Sequence, residues 1–125
     1  MSAIVRSGVT QRWADSVAYQ GLLWMVEVPA EGLDIHTQTH SLLSMLQQRL
    51  QAAGSDVEGL LQATIYLTDR SDLAAFNAIW DAWIPAGHAP VRACIAGVQL
   101  ADPTWRVEIA VTAAMMTSGQ INEKN

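Results

Sequence analysis

The chain has 125 residues, half of them apolar, with 7 basic and 12 acidic side chains and a formal net charge of -5. That length suits one domain whose core needs neither disulfides nor metal, and a lone cysteine, Cys94, excludes an intrachain disulfide. So acidic a chain lacks the basic footprint of a nucleic-acid binder. No apolar run has membrane-spanning length and the N-terminus carries no apolar signal region, so the expectation is a cytoplasmic protein with neither nucleic acid nor membrane as partner.

Residues 3–9 read as a short strand and residues 17–29 (VAYQGLLWMVEVP) as a hairpin turning at Gln20 and Gly21. Asp34 then suits a helix N-cap, and Ile35, Thr39, Leu42, Leu43, Leu46 and Leu50 recur at helical spacing behind it. Gly54 is placed to end that helix. Residues 57–60 suit one turn. Residues 61–68 (LQATIYLT) form a strand with Ala63, Ile65 and Leu67 on one face and Gln62, Thr64 and Tyr66 on the other. Ser71 is predicted to cap a second helix running to Trp83, with Leu73, Phe76, Trp80 and Trp83 as its apolar stripe. Pro85 and Gly87 break it.

Residues 88–111 (HAPVRACIAGVQLADPTWRVEIAV) read as two strands separated by a turn at Ala101-Asp102-Pro103. Alternation puts Arg92, Cys94 and Ala96 on one face of the first strand. On the second, Trp105, Val107, Ile109 and Val111 share the apolar face, and Arg106, Glu108, Ala110 and Thr112 the other. Beyond Met116 the chain is polar, so a single domain over residues 1–116 and a flexible tail over 117–125 are expected.

Strands, helix, strand, helix, strands predict an α+β domain with two helices packed on one face of a mixed sheet. The opposite face, taken to bear Tyr66, Arg92, Cys94 and Glu108, would need cover. The same surface of another subunit supplies it economically, which predicts a closed homo-oligomer with a ligand site at the subunit boundary. The five tryptophans suit helix packing first and a subunit interface second.

Arg92 and Glu108 are lone charges among small or apolar neighbours. Arg92 offers a planar fork that matches a carboxylate, or it simply pairs with Glu108 or Asp102. Glu108 is a candidate acid/base that positions water, or a static ion-pair partner. An arginine beside it would lower its pKa and desolvation would raise it. Cys94, two residues beyond Arg92, suits a small residue beneath a ligand better than a nucleophile. His36 and His40 have the i, i+4 spacing of metal ligands, but no third ligand accompanies them and a solvated helix face is expected. His88 shapes the loop before the strand. No phosphate loop, dinucleotide fingerprint or nucleophile elbow is present.

The segment HAPVRACIAGVQLADPTWRVEIAV, with LLQATIYLTDRSDLAAFNAIWDAW ahead of it, resembles the RidA/YjgF family of reactive-intermediate deaminases, over residues 17–113. The resemblance implies a chorismate-mutase-like α+β fold and a homotrimer with clefts between subunits. It also implies hydrolysis of 2-imino acids or their enamine tautomers to 2-keto acids and ammonia, with no cofactor and no metal. The family arginine that grips the substrate carboxylate falls on Arg92, the cysteine beside it on Cys94, the water-holding glutamate on Glu108 and the second-helix asparagine on Asn77. Three places depart from the pattern. The family's Ser-Gly-Gln run is Met25-Val26-Glu27 here, its glutamate four residues after the arginine is Ala96, and its cleft tyrosine is replaced by Ala18 with Tyr19 adjacent. Tyr19 and Met25 thus join Arg92, Cys94 and Asn77 as expected substrate-binding residues, in a less polar cleft and a divergent branch. A non-catalytic carboxylate-binding sensor or scavenger is the alternative, as is a hydrolase of another C=N or enamine-type catabolic intermediate.

Overall fold

In the computed structural model, whose described residues are 3–116, the central strands alternate buried and more exposed positions, while the two edge strands are largely exposed. Strands β1 (Val5–Ser7), β2 (Ser16–Tyr19), β3 (Leu22–Glu27), β4 (Leu60–Leu67), β5 (Val91–Ala96) and β6 (Val107–Ala114) join in the order β1-β2-β3-β6-β4-β5. The expected tail over residues 117–125 lies outside the described residues. Gln20 and Gly21, with φ of 49° and 81°, make the two-residue turn between β2 and β3. Positive φ at both positions matches the twist of an antiparallel hairpin.

Helices α1 (Ile35–Ala52) and α2 (Leu73–Trp83) cover one face. Leu42, Leu43, Leu46 and Leu50 of α1 and Phe76 and Trp80 of α2 pack into one core with Leu23, Ala63, Ile65, Val107, Ile109 and Val111 of the strands. Asp34 caps α1 as expected, accepting the Thr37 N–H at 2.8 Å. Gly54, at φ 95°, follows the helix end in the left-handed conformation that favours glycine. Ser71 does not cap α2. Asp69 accepts both the backbone N–H and the hydroxyl of Ser71 and starts a short 3₁₀ turn, Arg70–Asp72, that leads into the helix. The serine is taken up inside that turn, and Asp72, which precedes α2, makes no side-chain capping bond.

The two closing strands are not neighbours. β5 pairs with β4 in parallel, and β6 lies on the other side of β4, antiparallel to both β4 and β3. A parallel pair needs a crossover, and α2 provides it between β4 and β5. This register corrects the predicted shared surface. Arg92 pairs with Ala63 and Cys94 with Ile65, so both point to the helix-covered side, whereas Tyr66 pairs with Glu108 on the open side. Alternation within each strand was legible; the phase of one strand against the next was not. The open side presents Trp24, Val26, Tyr66, Ile95, Glu108, Ala110 and Thr112. Among the described residues no helix is long and apolar enough to cross a membrane.

Candidate active site

β5 is an edge strand, and Arg92 sits near its start with an exposed side chain. Its guanidinium lies over Trp80 of α2, 5.4 Å from the ring centroid. Among the described residues it forms no ion pair, with Glu108, with Asp102 or with any other acid. Asp102 is occupied within its own turn, accepting the Thr104 N–H and hydroxyl at 2.8 and 2.7 Å. The guanidinium fork is thus free to take an anion from solution.

Cys94 follows on the same side, partly buried against the core. Burial pushes its thiol up and the Arg92 charge pulls the other way but is the weaker influence. A protonated thiol is a poor nucleophile, in keeping with a residue that shapes the site. Asn77, one turn before Trp80 on α2, has a buried Oδ1 with no hydrogen-bond partner among the described residues. Buried unpaired acceptors are uncommon and costly.

Glu108 stands apart. Along β4, the Ala63 that neighbours Arg92 and the Tyr66 that neighbours Glu108 are three residues apart, about 10 Å. Two strand spacings, at right angles to that, bring the backbone separation to about 14 Å, and the side chains leave opposite faces of the sheet. Within one protomer no small molecule touches both. Glu108 makes no hydrogen bond or ion pair among the described residues, and desolvation alone lifts its carboxyl above the ordinary carboxylate range. Of the two influences weighed from the sequence, desolvation wins because no arginine is near.

Tyr19 ends β2 on the open side, half exposed. Met25 points to the other side, 5 % exposed within the core, so in the protomer it serves packing. His36 and His40 line the exposed face of α1, and His88 Nδ1 is 2.9 Å from the Ala86 carbonyl. A concavity of about 370 Å³ opens on the uncovered face among Val17, Trp24, Val26, Thr64, Ala110 and Thr112. Another of about 660 Å³ lies between Leu33, Thr68 and the loop 98–106. Neither takes in Arg92 or Glu108.

Three polar clusters went unread in the sequence. Buried Gln38 donates to the Gly32 and Thr104 carbonyls and accepts the Arg106 N–H at 2.7 Å, tying α1 to the loop before β6. Arg106 holds Asp72 with two parallel bonds of 3.0 Å. Glu27, only 4 % exposed, faces Arg49 at 3.4 Å. Burial raises its pKa to about 7, with Arg49 opposing and Asp15 adding to the rise. Its signal was available: an acid in phase with Leu23 and Met25 on a strand whose alternate residues are core.

The family model described as Endoribonuclease L-PSP matches residues 25–115. The chain belongs to this family. The RutC family protein YoaB of Escherichia coli (strain K12) is 42% identical over 114 residues, spanning 90% of this chain and 98% of that protein. A RutC family protein of Haemophilus ducreyi is 37% identical over 114 residues, 90% and 97% of the two chains. The crystal structure of NMB1025, a YjgF family member from Neisseria meningitidis, superposes with a TM-score of 0.89 at 39% identity, covering 93% of this chain and 98% of that one. The six-stranded mixed sheet with two helices is thus the fold of YjgF-family proteins, as the RidA/YjgF resemblance led one to expect.

Proposed function

We propose that the protein is a cofactor-free hydrolytic deaminase of small 2-imino or enamino acids, yielding 2-keto acids and ammonia, and that it works as a chorismate-mutase-like homotrimer. The observation that carries this reading is Arg92: a guanidinium on an exposed strand edge, oriented by an aromatic ring and unclaimed by any acid among the described residues. Such a group receives a carboxylate through two parallel hydrogen bonds. Glu108 then holds the attacking water. Desolvation lifts the pKa of that carboxylate, which makes it a better proton acceptor than an ordinary carboxylate. Water adds to the imine carbon, the C–N bond breaks, and ammonia leaves. Orientation and charge placement supply most of the acceleration.

Because Arg92 and Glu108 leave opposite faces of the sheet, the reading needs Glu108 from one protomer to meet Arg92 of the next. The open face with Trp24, Val26 and Ile95 exposed is where subunits would pack. A nucleolytic reading, suggested only by the family model's description, sits poorly with the net charge of -5.

The test generates 2-iminobutanoate or 2-iminopropionate in situ and follows keto-acid release. Wild type should accelerate it. The variants Arg92→Ala and Glu108→Gln should each lose that acceleration, yet regain activity when denatured and refolded together. Random assortment in a closed ring restores about a quarter of the sites if each is shared between neighbours. Inactive mixed trimers of two well-folded variants would exclude the shared site. Equal rates for wild type and Arg92→Ala would exclude the deaminase. Saturable keto-acid binding without turnover would leave a sensor or scavenger.

A further inference from the structure

The sheet edge at β5 lets a long, exposed arginine roam unless something holds it. An unconstrained arginine has four rotatable side-chain bonds and would meet a carboxylate in a productive pose only part of the time. Here the guanidinium lies 5.4 Å from the Trp80 ring centroid, within the range where a cation is drawn to the electron-rich face of an indole. Trp80 is itself immobilised. It stacks on Phe76 at 5.9 Å with 28° between planes, meets Trp83 at 5.5 Å, and is 5 % exposed. Trp83 in turn donates its indole N–H to Gln47 of α1 at 3.2 Å. The aromatic ladder is therefore anchored to both helices, and the Arg92 guanidinium lies over its Trp80 ring.

A cation drawn to a ring by its charge spends none of its N–H groups on a hydrogen bond, so they stay available. We infer that Trp80 is a positioning residue, whose ring fixes Arg92 so that the guanidinium fork is presented, already oriented, to the carboxylate of the substrate. This rests on the proposed function for the identity of the carboxylate, but not for the ring's hold on the arginine. Trp80 touches no substrate atom. It acts on affinity, by removing the cost of ordering Arg92 at each binding event, and leaves the chemical step alone.

The experiment replaces Trp80 site-specifically with mono-, di- and trifluorotryptophan, which drain the ring's quadrupole stepwise at nearly constant shape. Trp80→Phe and Trp80→Leu complete the series. KM and kcat for the imino acid, and Kd for 2-ketobutyrate by calorimetry, are measured beside the Arg92 Nε–H resonance. Expected is a graded rise of KM and Kd with fluorination, reaching roughly three- to thirtyfold in Trp80→Leu, with Trp80→Phe between, and kcat unchanged. In an Arg92→Ala background the series should have no effect. The Arg92 Nε–H should show an upfield ring-current shift in wild type that disappears in Trp80→Leu. Flat KM and Kd across the fluorinated series would overturn the inference, as would an Arg92 resonance at its random-coil position. A ring-shifted Arg92 in a protein that neither turns over imines nor binds keto acids would support the platform while removing the proposed function.

Discussion

Two corners of this molecule spend the same side chain in opposite ways. At the start of β6, Arg106 meets Asp72 edge-on, with Nε and one terminal nitrogen each 3.0 Å from a carboxylate oxygen. At the start of β5, the Arg92 guanidinium lies over the Trp80 ring and meets no acid among the described residues. The first contact consumes the guanidinium fork and fastens the β6 end of the sheet to the beginning of α2. The second leaves the fork open. The geometry of contact, not the presence of charge, separates an arginine that holds the fold from one that can hold a ligand. Arg49 falls between them. At 3.4 Å from Glu27 it is too far for a strong charge-assisted bond, which is why burial still dominates that carboxylate.

The contrast is broken most directly at Arg92. Replacement by alanine should lower kcat/KM for imino acids on the order of a hundredfold, while the melting temperature stays near that of wild type, because an exposed edge residue contributes little to stability. A large loss of stability would mean that the site is structural after all. Arg106→Ala should do the reverse. It strands the nearly buried Asp72 carboxylate, at a cost of about 2 kcal/mol after allowing for the partly exposed guanidinium, and thermal denaturation should register a fall of several degrees. Arg92→Lys sharpens the comparison further. It keeps the charge and loses the fork, so KM should rise about tenfold with little change in kcat.

The remaining test concerns Glu27, whose effect appears only as the pH is raised. Its folded pKa of about 7 lies above the ordinary 4.5, so the native state retains a proton that the unfolded chain has released. The stabilisation from this group is complete below about pH 4.5 and is lost as the pH rises through about 7. Glu27→Gln should therefore match wild type at about pH 4 and become the more stable of the two as the pH rises to about 8, read from denaturant titrations at the two pH values. A difference that does not change with pH would rule this account out.

Much of the architecture was legible in residue order. The heptad-like leucines of α1, the Asp34 cap, Gly54 after the helix and the Gln20-Gly21 turn are local signals, and local signals survive in a sequence because neighbours along the chain settle them. The candidate residues were legible too, since a lone Arg92 and a lone Glu108 in apolar company stand out by type. Their relation was not. Reading Arg92, Cys94, Tyr66 and Glu108 as one surface assumed a phase between strands that depends on β5 pairing in parallel with β4, across a helix. Gln38, bridging to Thr104 and Arg106 through bonds that span more than sixty residues of sequence, left no local trace at all.

By itself, then, the sequence determined which segments are strand or helix, which of their faces are apolar, and which side chains are chemically out of place, because each of these depends on spacing within a few residues. Only the tertiary structure decided that Arg92 rests on Trp80 while Glu108 looks out from the opposite face. That outcome is set by strand order and pairing direction, where a shift of one position turns every side chain to the other side.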